Sequence, residues 1–148
     1  MEIEALACDA VTVREGLLHV LGGGVGTIWR DSYPAPLNVD LALLLTLHPS
    51  EATEDHQLRI ILQDTDGKQI AQLDATFMVN QASPGPTEIV PVGQMVLIPL
   101  AVPLKTIAVP APGLYSIEVL VDKQHRRSLS ITAMPPGSRP PQQLPAVE

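Results

Sequence analysis

The sequence predicts an all-β fold, an antiparallel, immunoglobulin-like β-sandwich of about seven to nine strands. Apolar and polar residues alternate along several short runs with the period of a strand, and turn residues separate these runs. No stretch has the periodicity of a helix of useful length. The apolar residues are almost all aliphatic, and the aromatic ones are only Trp29, Tyr33, Phe77 and Tyr115, which also favours a β-rich core.

The clearest predicted strand spans residues 39–47. One of its faces carries only apolar side chains, namely Val39, Leu41, Leu43, Leu45 and Leu47. We therefore expect a central strand whose odd-numbered residues lie in the core. The runs at 58–63 and 71–79 alternate in the same way on either side of Asp64-Thr65-Asp66-Gly67. Because these four residues tolerate the dihedral angles of a tight turn, the two runs predict a hairpin.

A second hairpin is predicted at the end of the domain. Apolar and polar residues alternate at 115–121 and at 128–133, and the residues between them, 122–127, are typical of a turn. Tyr115 opens the first of these strands, directly after Pro112-Gly113-Leu114. We expect its hydroxyl to hydrogen-bond the preceding connection, as in the tyrosine corner of immunoglobulin-type sandwiches.

The remaining strands and the domain limits follow from the same patterns. Strands are expected at residues 3–7, 17–21 and 96–100, and the prolines that follow the last of these favour an edge or a bend. We predict one sandwich domain at residues 1–133, a length sufficient for a single stable core. Residues 134–148 are rich in proline and poor in apolar side chains, so they predict a disordered tail.

Composition limits the function and the location of the protein. Sixteen acidic and nine basic residues give a formal net charge of −7. Since phosphate binding relies on Lys and Arg, we expect no nucleic-acid partner, and the same scarcity argues against anionic membranes. No apolar run approaches the roughly 20 residues that span a bilayer. The lone Cys8 and the lack of signal-peptide features at the amino terminus predict a cytoplasmic location.

Two stretches carry a family resemblance: CDAV at 8–11 with GLLHVLGGG at 16–24, and PGLYSIEV at 112–119 with Val121-Asp122. They resemble a family of uncharacterised bacterial proteins, largely from actinobacteria, that is catalogued as a domain of unknown function. The resemblance extends over most of residues 1–133. It implies a β-sandwich fold in a bacterial cytosolic protein, and it implies no activity, ligand or catalytic residue.

Two motifs have both a functional and a structural interpretation. The glycine-rich run at 22–26 could cradle a phosphate, but it lacks the Lys-Ser/Thr ending of a P-loop and a following helix, so a turn or bulge is favoured. Residues 64–67, together with Asp9 and Asp122, could form a calcium site at one end of the sandwich. The loop lacks the third acid and the distant glutamate of an EF-hand, so a hairpin turn is favoured.

The residue types that perform catalysis form no recognisable motif. Cys8 and the histidines His19, His48, His56 and His125 lack zinc-ligand spacing, and no nucleophile elbow or Ser-His-Asp signature is present. Residues distant in sequence can still assemble into a triad, so an enzyme stays among the alternatives. We predict no catalytic residue, no cofactor and no metal site, and we expect Cys8 to be a small buried core residue.

The best sequence candidate for a binding site is the segment that contains Trp29, Arg30 and Tyr33. The two aromatic residues flank Arg30-Asp31-Ser32 and precede Pro34-Ala35-Pro36, so a polar loop could hold both rings outward. Either ring could instead cap the core, and this interpretation is favoured because large aromatic side chains are usually mostly buried.

These patterns predict a non-catalytic protein-binding or assembly module, with a protein partner or with a second copy in a homo-oligomer. The residues explain a sandwich well and leave few chemical groups without a structural role. One alternative is a hydrolase or carbohydrate-active enzyme on a sandwich scaffold. The other is a calcium-dependent binding domain, although scarce aromatic residues argue against sugar binding.

Overall fold

The computed structural model describes residues 1–79 and 93–140. These residues form eleven strands and one 3₁₀ turn at Glu51–Thr53. The strands are β1 (Glu2–Arg14), β2 (Leu17–Gly23), β3 (Thr27–Trp29), β4 (Ala35–Pro36), β5 (Asp40–Leu47), β6 (His56–Asp64), β7 (Gln69–Phe77), β8 (Val96–Val102), β9 (Ala108–Val109), β10 (Gly113–Val121) and β11 (Gln124–Met134). Eight of them have seven residues or more, within the predicted number, and β3, β4 and β9 are short additions.

The strands form two main sheets that pack face to face. Sheet A has the order β2-β1-β5-β8, and sheet B has the order β3-β11-β10-β6-β7. β4 and β9 form a small separate ribbon. Neighbouring strands are antiparallel except for β3, which runs parallel to β11. The predicted all-β sandwich is confirmed, whereas its immunoglobulin-like topology stays a prediction.

The core contains alternate side chains from both sheets. In β5, Leu41, Leu43, Leu45 and Leu47 have no exposed surface, which confirms the predicted central strand. β5 lies between β1 and β8, so both of its edges are paired. From sheet B, Ile117 is equally buried. Each such leucine stabilises the fold by about 1.5–3 kcal/mol relative to an exposed one.

The β6–β7 hairpin is confirmed, and its turn has the predicted chemistry. The carboxylate of Asp64 accepts hydrogen bonds from the backbone N–H groups of Asp66 and Lys68, both at 2.9 Å. Gly67 has a φ of +78°, which a residue without Cβ adopts at little cost. The Asp side chain and the glycine together therefore close the turn.

The terminal hairpin is also present, but its turn is tighter than predicted. Only Asp122 and Lys123 lie between β10 and β11, and both have positive φ values, 51° and 67°. This pair of values is typical of a two-residue hairpin turn. The polar residues that follow, from Gln124 onward, already belong to β11, because they pair with the end of β10, as Gln124 does with Val121 and His125 with Leu120. The hydroxyl of Tyr115 donates to the carbonyl of Ala111 at 2.6 Å, which confirms the predicted tyrosine corner.

The first hairpin is much longer than predicted. The expected strand at 3–7 continues to Arg14, and the turn to β2 consists of Glu15 and Gly16, with φ values of 52° and 72°. Only the first part of β1, Glu2 to Cys8, pairs with β5. Among the described residues, the rest of β1 pairs only with β2. Most side chains at 12–16 are therefore exposed, and the alternation of buried and exposed residues is lost there.

The carboxyl-terminal strand ends one residue beyond the predicted domain boundary. Met134 pairs with Trp29 of β3 and accepts a hydrogen bond from the hydroxyl of Tyr33 at 2.7 Å. These contacts explain why a residue outside the alternating pattern still belongs to the sheet. Within the predicted tail, residues 141–148 lie outside the described part of the chain, and the disorder of the tail stays a prediction.

Candidate functional site

The outer side of sheet A carries a continuous group of apolar residues, which we name the apolar face. Its members come from three adjacent strands and are Leu6 of β1, Ala42 and Leu44 of β5, and Leu97, Pro99 and Ala101 of β8. The register places Leu6, Ala42 and Ala101 in one row and Leu44 beside Pro99 in the next. Because side chains alternate along a strand, all six point away from the core leucines of β5.

Three of the six members of the apolar face are exposed, namely Leu6, Leu97 and Ala101, whereas Leu44 and Pro99 are half-buried and Ala42 is buried. Leu97 is 60% exposed and Leu6 is 41% exposed. Further exposed apolar side chains lie along the first hairpin of the same sheet, where Leu21 is 71% and Leu17 is 62% exposed. Polar residues border one end of the face, because Glu4 lies next to Leu44, and Thr46 lies between Glu2 and Leu97 in the next row. An apolar centre with a polar rim is the usual composition of a protein contact surface.

The outer side of sheet B is polar, in contrast to the outer side of sheet A. Most of its outward side chains are polar: Arg59, Gln63, Gln72, Asp74, Thr76, Ser116, Glu118, Ser128, Ser130 and Thr132. They pair with one another across the strands, as when the Arg59 guanidinium donates to the Asp74 carboxylate at 2.7 Å. This arginine is the first cause of the lowered pKa of Asp74. Such cross-strand pairs are typical of a sheet face that water covers.

A Ser-His-Glu cluster lies within this polar side, although sequence reasoning placed no such group. His125 Nε2 is 2.6 Å from the Glu118 carboxylate and 2.8 Å from Ser128 Oγ. Ser128 Oγ also donates to the same carboxylate, and Ser116 Oγ donates to its other oxygen at 2.8 Å. Burial alone would raise the pKa of Glu118, but the hydrogen bonds from Ser128, Ser116 and His125 hold it below its ordinary value.

The connections in this cluster differ from those of a catalytic triad. In a triad, one imidazole nitrogen accepts the serine proton while the other donates to the carboxylate. Here the same nitrogen, His125 Nε2, faces both groups, and the Ser128 proton is directed to Glu118. A serine that donates to a carboxylate is not activated by the histidine, so the cluster acts as a hydrogen-bonded cap on the β10–β11 hairpin.

A buried histidine links the core to the β10–β11 turn. His56 is 6% exposed and stacks on Phe77 with ring centroids 5.3 Å apart. Its Nδ1 lies 2.7 Å from the Asp122 carboxylate and its Nε2 lies 2.6 Å from the carbonyl of Glu51. Only a doubly protonated ring can donate to both acceptors. Burial opposes the charge, but the hydrogen bonds that His56 donates to the Asp122 carboxylate and to the Glu51 carbonyl raise the pKa of His56 above its ordinary value.

The segment predicted to bind a partner has a geometry that the sequence did not suggest. The guanidinium of Arg30 donates to three backbone carbonyls, those of Trp29, Pro36 and Leu37, at 2.7, 3.0 and 2.7 Å. Tyr33 is partly buried against the core, and its hydroxyl donates to Met134. Both side chains therefore fix the backbone of the segment, and Tyr33 follows the interpretation in which the ring packs against the core.

Of the three candidates, Trp29 is the one whose polar atom makes no hydrogen bond to another described residue. Its ring is partly exposed and lines an open groove of about 520 Å³, together with Arg30, Asp9 and Asn38. Its Nε1 atom is buried and has no hydrogen-bond partner among the described residues. Tyr33 does not line this groove, so the structure brings Trp29 and Arg30 together and leaves Tyr33 apart. A binding role for the three residues stays a prediction.

The glycine run forms the end of β2 and a bend toward β3. Gly22 and Gly24 have positive φ values of 59° and 91°. The N–H groups of Gly24 and Val25 both donate to the carbonyl of Ala7, at 2.9 and 3.0 Å. Two of the backbone donors that a phosphate cradle would need are therefore already occupied, in line with the predicted turn.

The residues proposed for a calcium site do not converge. Asp64 ends β6, whereas Asp122 lies at its opposite end, where its N–H donates to Gln57. Asp122 is paired with His56, and Asp64 is engaged in its own turn. Within the part of the chain that the structure describes, no three His, Cys, Asp or Glu side chains come together as metal ligands. The length of β6 therefore separates Asp64 from Asp122, two of the three aspartates that a shared site would need.

Cys8 is fully buried, as expected of a small core residue. Its Sγ lies 3.5 Å from the carbonyl of Asp40, and burial is the main cause of its raised pKa, with Asp40 as a second cause. A thiol with a raised pKa is a poor nucleophile at neutral pH. These observations favour a structural role for Cys8.

Sequence reasoning found the strand at the centre of the apolar face but not the face itself. The signal was Ala42 and Leu44, which alternate with the core leucines and leave the middle of β5 apolar on both sides. Leu6 and Leu97 gave no such signal, because only the register of β1 and β8 against β5 brings them beside it. A strand that is apolar on both faces indicates that both faces are covered.

Comparisons with known proteins give a family and no activity. A search of curated proteins and a search of solved structures each found no significant match. In the described part of the chain, no helix is long and apolar enough to cross a membrane. One family model matches residues 4–134, which include all eight long strands except the first two residues of β1. The chain therefore belongs to the family of unknown function DUF6941.

Proposed function

We propose that this domain is a non-catalytic protein-binding or assembly module and that the apolar face is its main contact surface. The observation that carries the proposal is the exposure of Leu6 and Leu97 on a sheet side that also carries Leu44, Pro99 and Ala101. Contiguous exposed apolar surface is uncommon on proteins that act alone. The fold itself does not require it, since an antiparallel sheet needs only one apolar side.

The rigidity of the apolar face supports the same proposal. Its members stand on β1, β5 and β8, which are held together by continuous antiparallel ladders. A surface on paired strands loses little conformational entropy when it binds, so more of the contact energy contributes to affinity. The carboxylates of Glu2 and Glu4 at one end favour a partner that places basic groups around an apolar centre.

The alternatives receive less support from the described residues. The hydrolase interpretation needs an activated nucleophile, and the nearest arrangement, at Ser128, directs its proton to a carboxylate. The calcium interpretation needs converging oxygen ligands, and β6 separates Asp64 from Asp122. We also propose a cytoplasmic location, which rests on the lone cysteine of the sequence.

Site-specific photo-cross-linking tests the proposal. A photoreactive amino acid is placed at Leu97, and in a matched variant at Leu114, which is 48% exposed but lies on sheet B. We expect the Leu97 variant to form a defined cross-linked protein product in cells of the native host, identified by mass spectrometry. We expect the Leu114 variant to give none. Equal labelling from both positions, or labelling from neither, would contradict the proposal.

A further inference from the structure

The turn at residues 48–53, which connects β5 to β6, is held in shape by bonds within itself. The N–H groups of Glu51 and Ala52 donate to the carbonyls of His48 and Pro49, at 2.8 and 3.3 Å. The carboxylate of Glu51 also accepts a hydrogen bond from the N–H of His48 at 2.8 Å. Because these bonds are local, the turn can shift as one unit without losing them.

Among the described residues, two polar contacts join this turn to the rest of the domain. The carbonyl of Glu51 lies 2.6 Å from His56 Nε2, and the carboxylate of Glu51 lies 3.1 Å from the amino group of Met1. The side chain of Ala52 is buried as well. His56 is also buried, whereas the Glu51 carboxylate is partly exposed to water, which weakens its ion pair. The position of the turn therefore depends chiefly on the contact with His56.

The ring of His56 can hold both of its partners only while it carries two protons. Nδ1 donates to the Asp122 carboxylate and Nε2 donates to the Glu51 carbonyl. A neutral ring has one N–H, and it stays on the side of Asp122, because a bond to an ionised carboxylate is stronger than a bond to a carbonyl. Nε2 then presents a lone pair to the carbonyl oxygen of Glu51, and two buried acceptors in contact destabilise this arrangement.

The charged groups around His56 favour its protonated form. Asp122 faces Nδ1 from the β10–β11 turn, and Glu54 adds a second negative charge from the connection that precedes β6. Phe77 covers the ring from β7 and carries no charge. Arg126 of β11 helps to keep Asp122 ionised. Burial lowers the pKa of His56, but its hydrogen bonds outweigh burial, so the proton is lost on the alkaline side of the ordinary pKa of 6.5.

We propose that His56 is a pH-operated latch on the connection between β5 and β6. The doubly protonated ring fixes the turn at 48–53 to the β10–β11 turn by binding Glu51 on one side and Asp122 on the other. When Nε2 gives its proton to water, the bond to Glu51 is lost. The turn then moves away as one unit, and Ala52 leaves its buried position.

The other side of the ring stays in place when the latch opens. The N–H of Asp122 donates to the carbonyl of Gln57 at 2.9 Å, and its carboxylate accepts from the N–H of Gln57 at 3.0 Å. Neither bond involves a group that titrates on the alkaline side of neutrality. Opening is therefore confined to the turn at 48–53 and leaves the sandwich folded. The inference does not rest on the proposed function.

An NMR titration of the full chain tests the latch. The ring nitrogen signals of His56 report whether Nδ1 and Nε2 each carry a proton. The methyl signal of Ala52, recorded with a soluble paramagnetic agent, reports whether this methyl group meets solvent. As the pH rises from about 5.5 to about 9, we expect Nε2 to lose its proton while Nδ1 keeps one. Paramagnetic broadening of Ala52 should rise severalfold with the same midpoint, whereas the equally buried Ala133 of β11 should not respond.

Two variants separate the latch from other titrating groups. His56→Gln should make the exposure of Ala52 independent of pH, because position 56 then has no proton to lose. His125→Gln removes a histidine that also contacts a carboxylate, and it should leave the response of Ala52 unchanged.

Three results would overturn the latch. They are a neutral His56 ring at about pH 6, loss of the Nδ1 proton before the Nε2 proton, and an Ala52 methyl group that stays protected after Nε2 is deprotonated. If His56→Gln does not fold, the wild-type titration decides alone, because it follows the ring and Ala52 in one sample.

Discussion

The two sheets of this domain bury similar aliphatic cores on their inner sides but differ on their outer sides. Sheet B covers its outer side with paired polar groups such as Arg59 with Asp74 and Glu118 with Ser116. Sheet A carries the apolar face, with Leu6 and Leu97 exposed. One apolar side per sheet is enough to form a sandwich. The fold therefore requires the apolar residues on the inner sides of both sheets, but it does not require those on the outer side of sheet A.

The largest expected effect contrasts the two sides of one strand, β5. Leu43→Asp places a carboxylate at a position with no exposed surface and should lower the free energy of unfolding by several kcal/mol, enough to unfold a marginally stable domain. Leu44→Asp, on the apolar face, should leave the domain folded. Urea denaturation followed by circular dichroism measures both. A cooperatively folded Leu43→Asp protein would show that the assignment of the two sides is wrong.

A second prediction concerns the charged group on the inner side, His56. His56→Gln should lower the free energy of unfolding by about 2 kcal/mol near neutral pH, because it removes charged hydrogen bonds from a buried site. The folded-state pKa of His56 is raised, so its contribution is fully present below its ordinary pKa of 6.5 and is lost as the pH rises through the raised value. The lowered pKa of Asp122 implies a second loss in acid, below the ordinary pKa of 3.8.

Urea denaturation of the wild type and of His56→Gln, from acidic to alkaline pH, measures how much His56 contributes to the free energy of unfolding at each pH. The difference between the two proteins should shrink toward alkaline pH, while Asp122 stays ionised. A difference that grows as the pH rises would contradict the doubly protonated ring. Phe77→Leu provides a control, because it changes the ring that His56 stacks on without removing a titratable group.

A third prediction concerns the polar side of sheet B. Glu118→Gln should cost about 1 kcal/mol, because the carboxylate accepts hydrogen bonds from Ser116, Ser128 and His125. The pKa of Glu118 is lowered, so this contribution is present above its ordinary pKa of 4.5 and is lost as the pH falls through the folded-state value. Chemical denaturation at neutral and acidic pH measures it. An unchanged stability would show that these bonds only replace bonds to water.

The smallest effect is expected on the apolar face. Leu97→Ser should change the free energy of unfolding by less than about 0.5 kcal/mol, because an exposed side chain contributes little to the core. The same variant should weaken partner binding, since it removes apolar contact area. Thermal denaturation of the purified protein provides the stability measurement. A large loss of stability would mean that Leu97 belongs to the core of the domain.

The sequence predicted the inner side of the sandwich far better than the outer side. Alternation at 39–47 identified the core strand because burial constrains every second residue there, and Tyr115 was found because its role depends on the residues just before it. The apolar face was missed because it depends on which strands are neighbours, and that information is not local. The extent of the first strand was missed for the same reason, since in the part of the chain that the structure describes β1 pairs beyond Cys8 only with β2.

In the candidate binding segment and the Ser-His-Glu cluster, the sequence likewise identified some residues but not the contacts that they make. Arg30 and Tyr33 were recognised as unusual residues in a loop, but their targets are the backbone carbonyls of Leu37 and Met134, which no side-chain pattern reveals. Glu118 and Ser128 come together only through the register of β10 and β11. Side chains that act on distant backbone or across a ladder therefore lie beyond what one sequence can predict.

Hydroxyl-radical footprinting of Leu97 and Leu114 tests the central claim most directly. Both are exposed leucines, on the outer sides of sheet A and sheet B respectively, so they have the same intrinsic reactivity. In dilute purified protein, both side chains should be oxidised at similar rates. In cells of the native host, our account predicts that Leu97 becomes protected while Leu114 does not. Equal oxidation of the two leucines in both settings would contradict the claim that sheet A carries the binding surface.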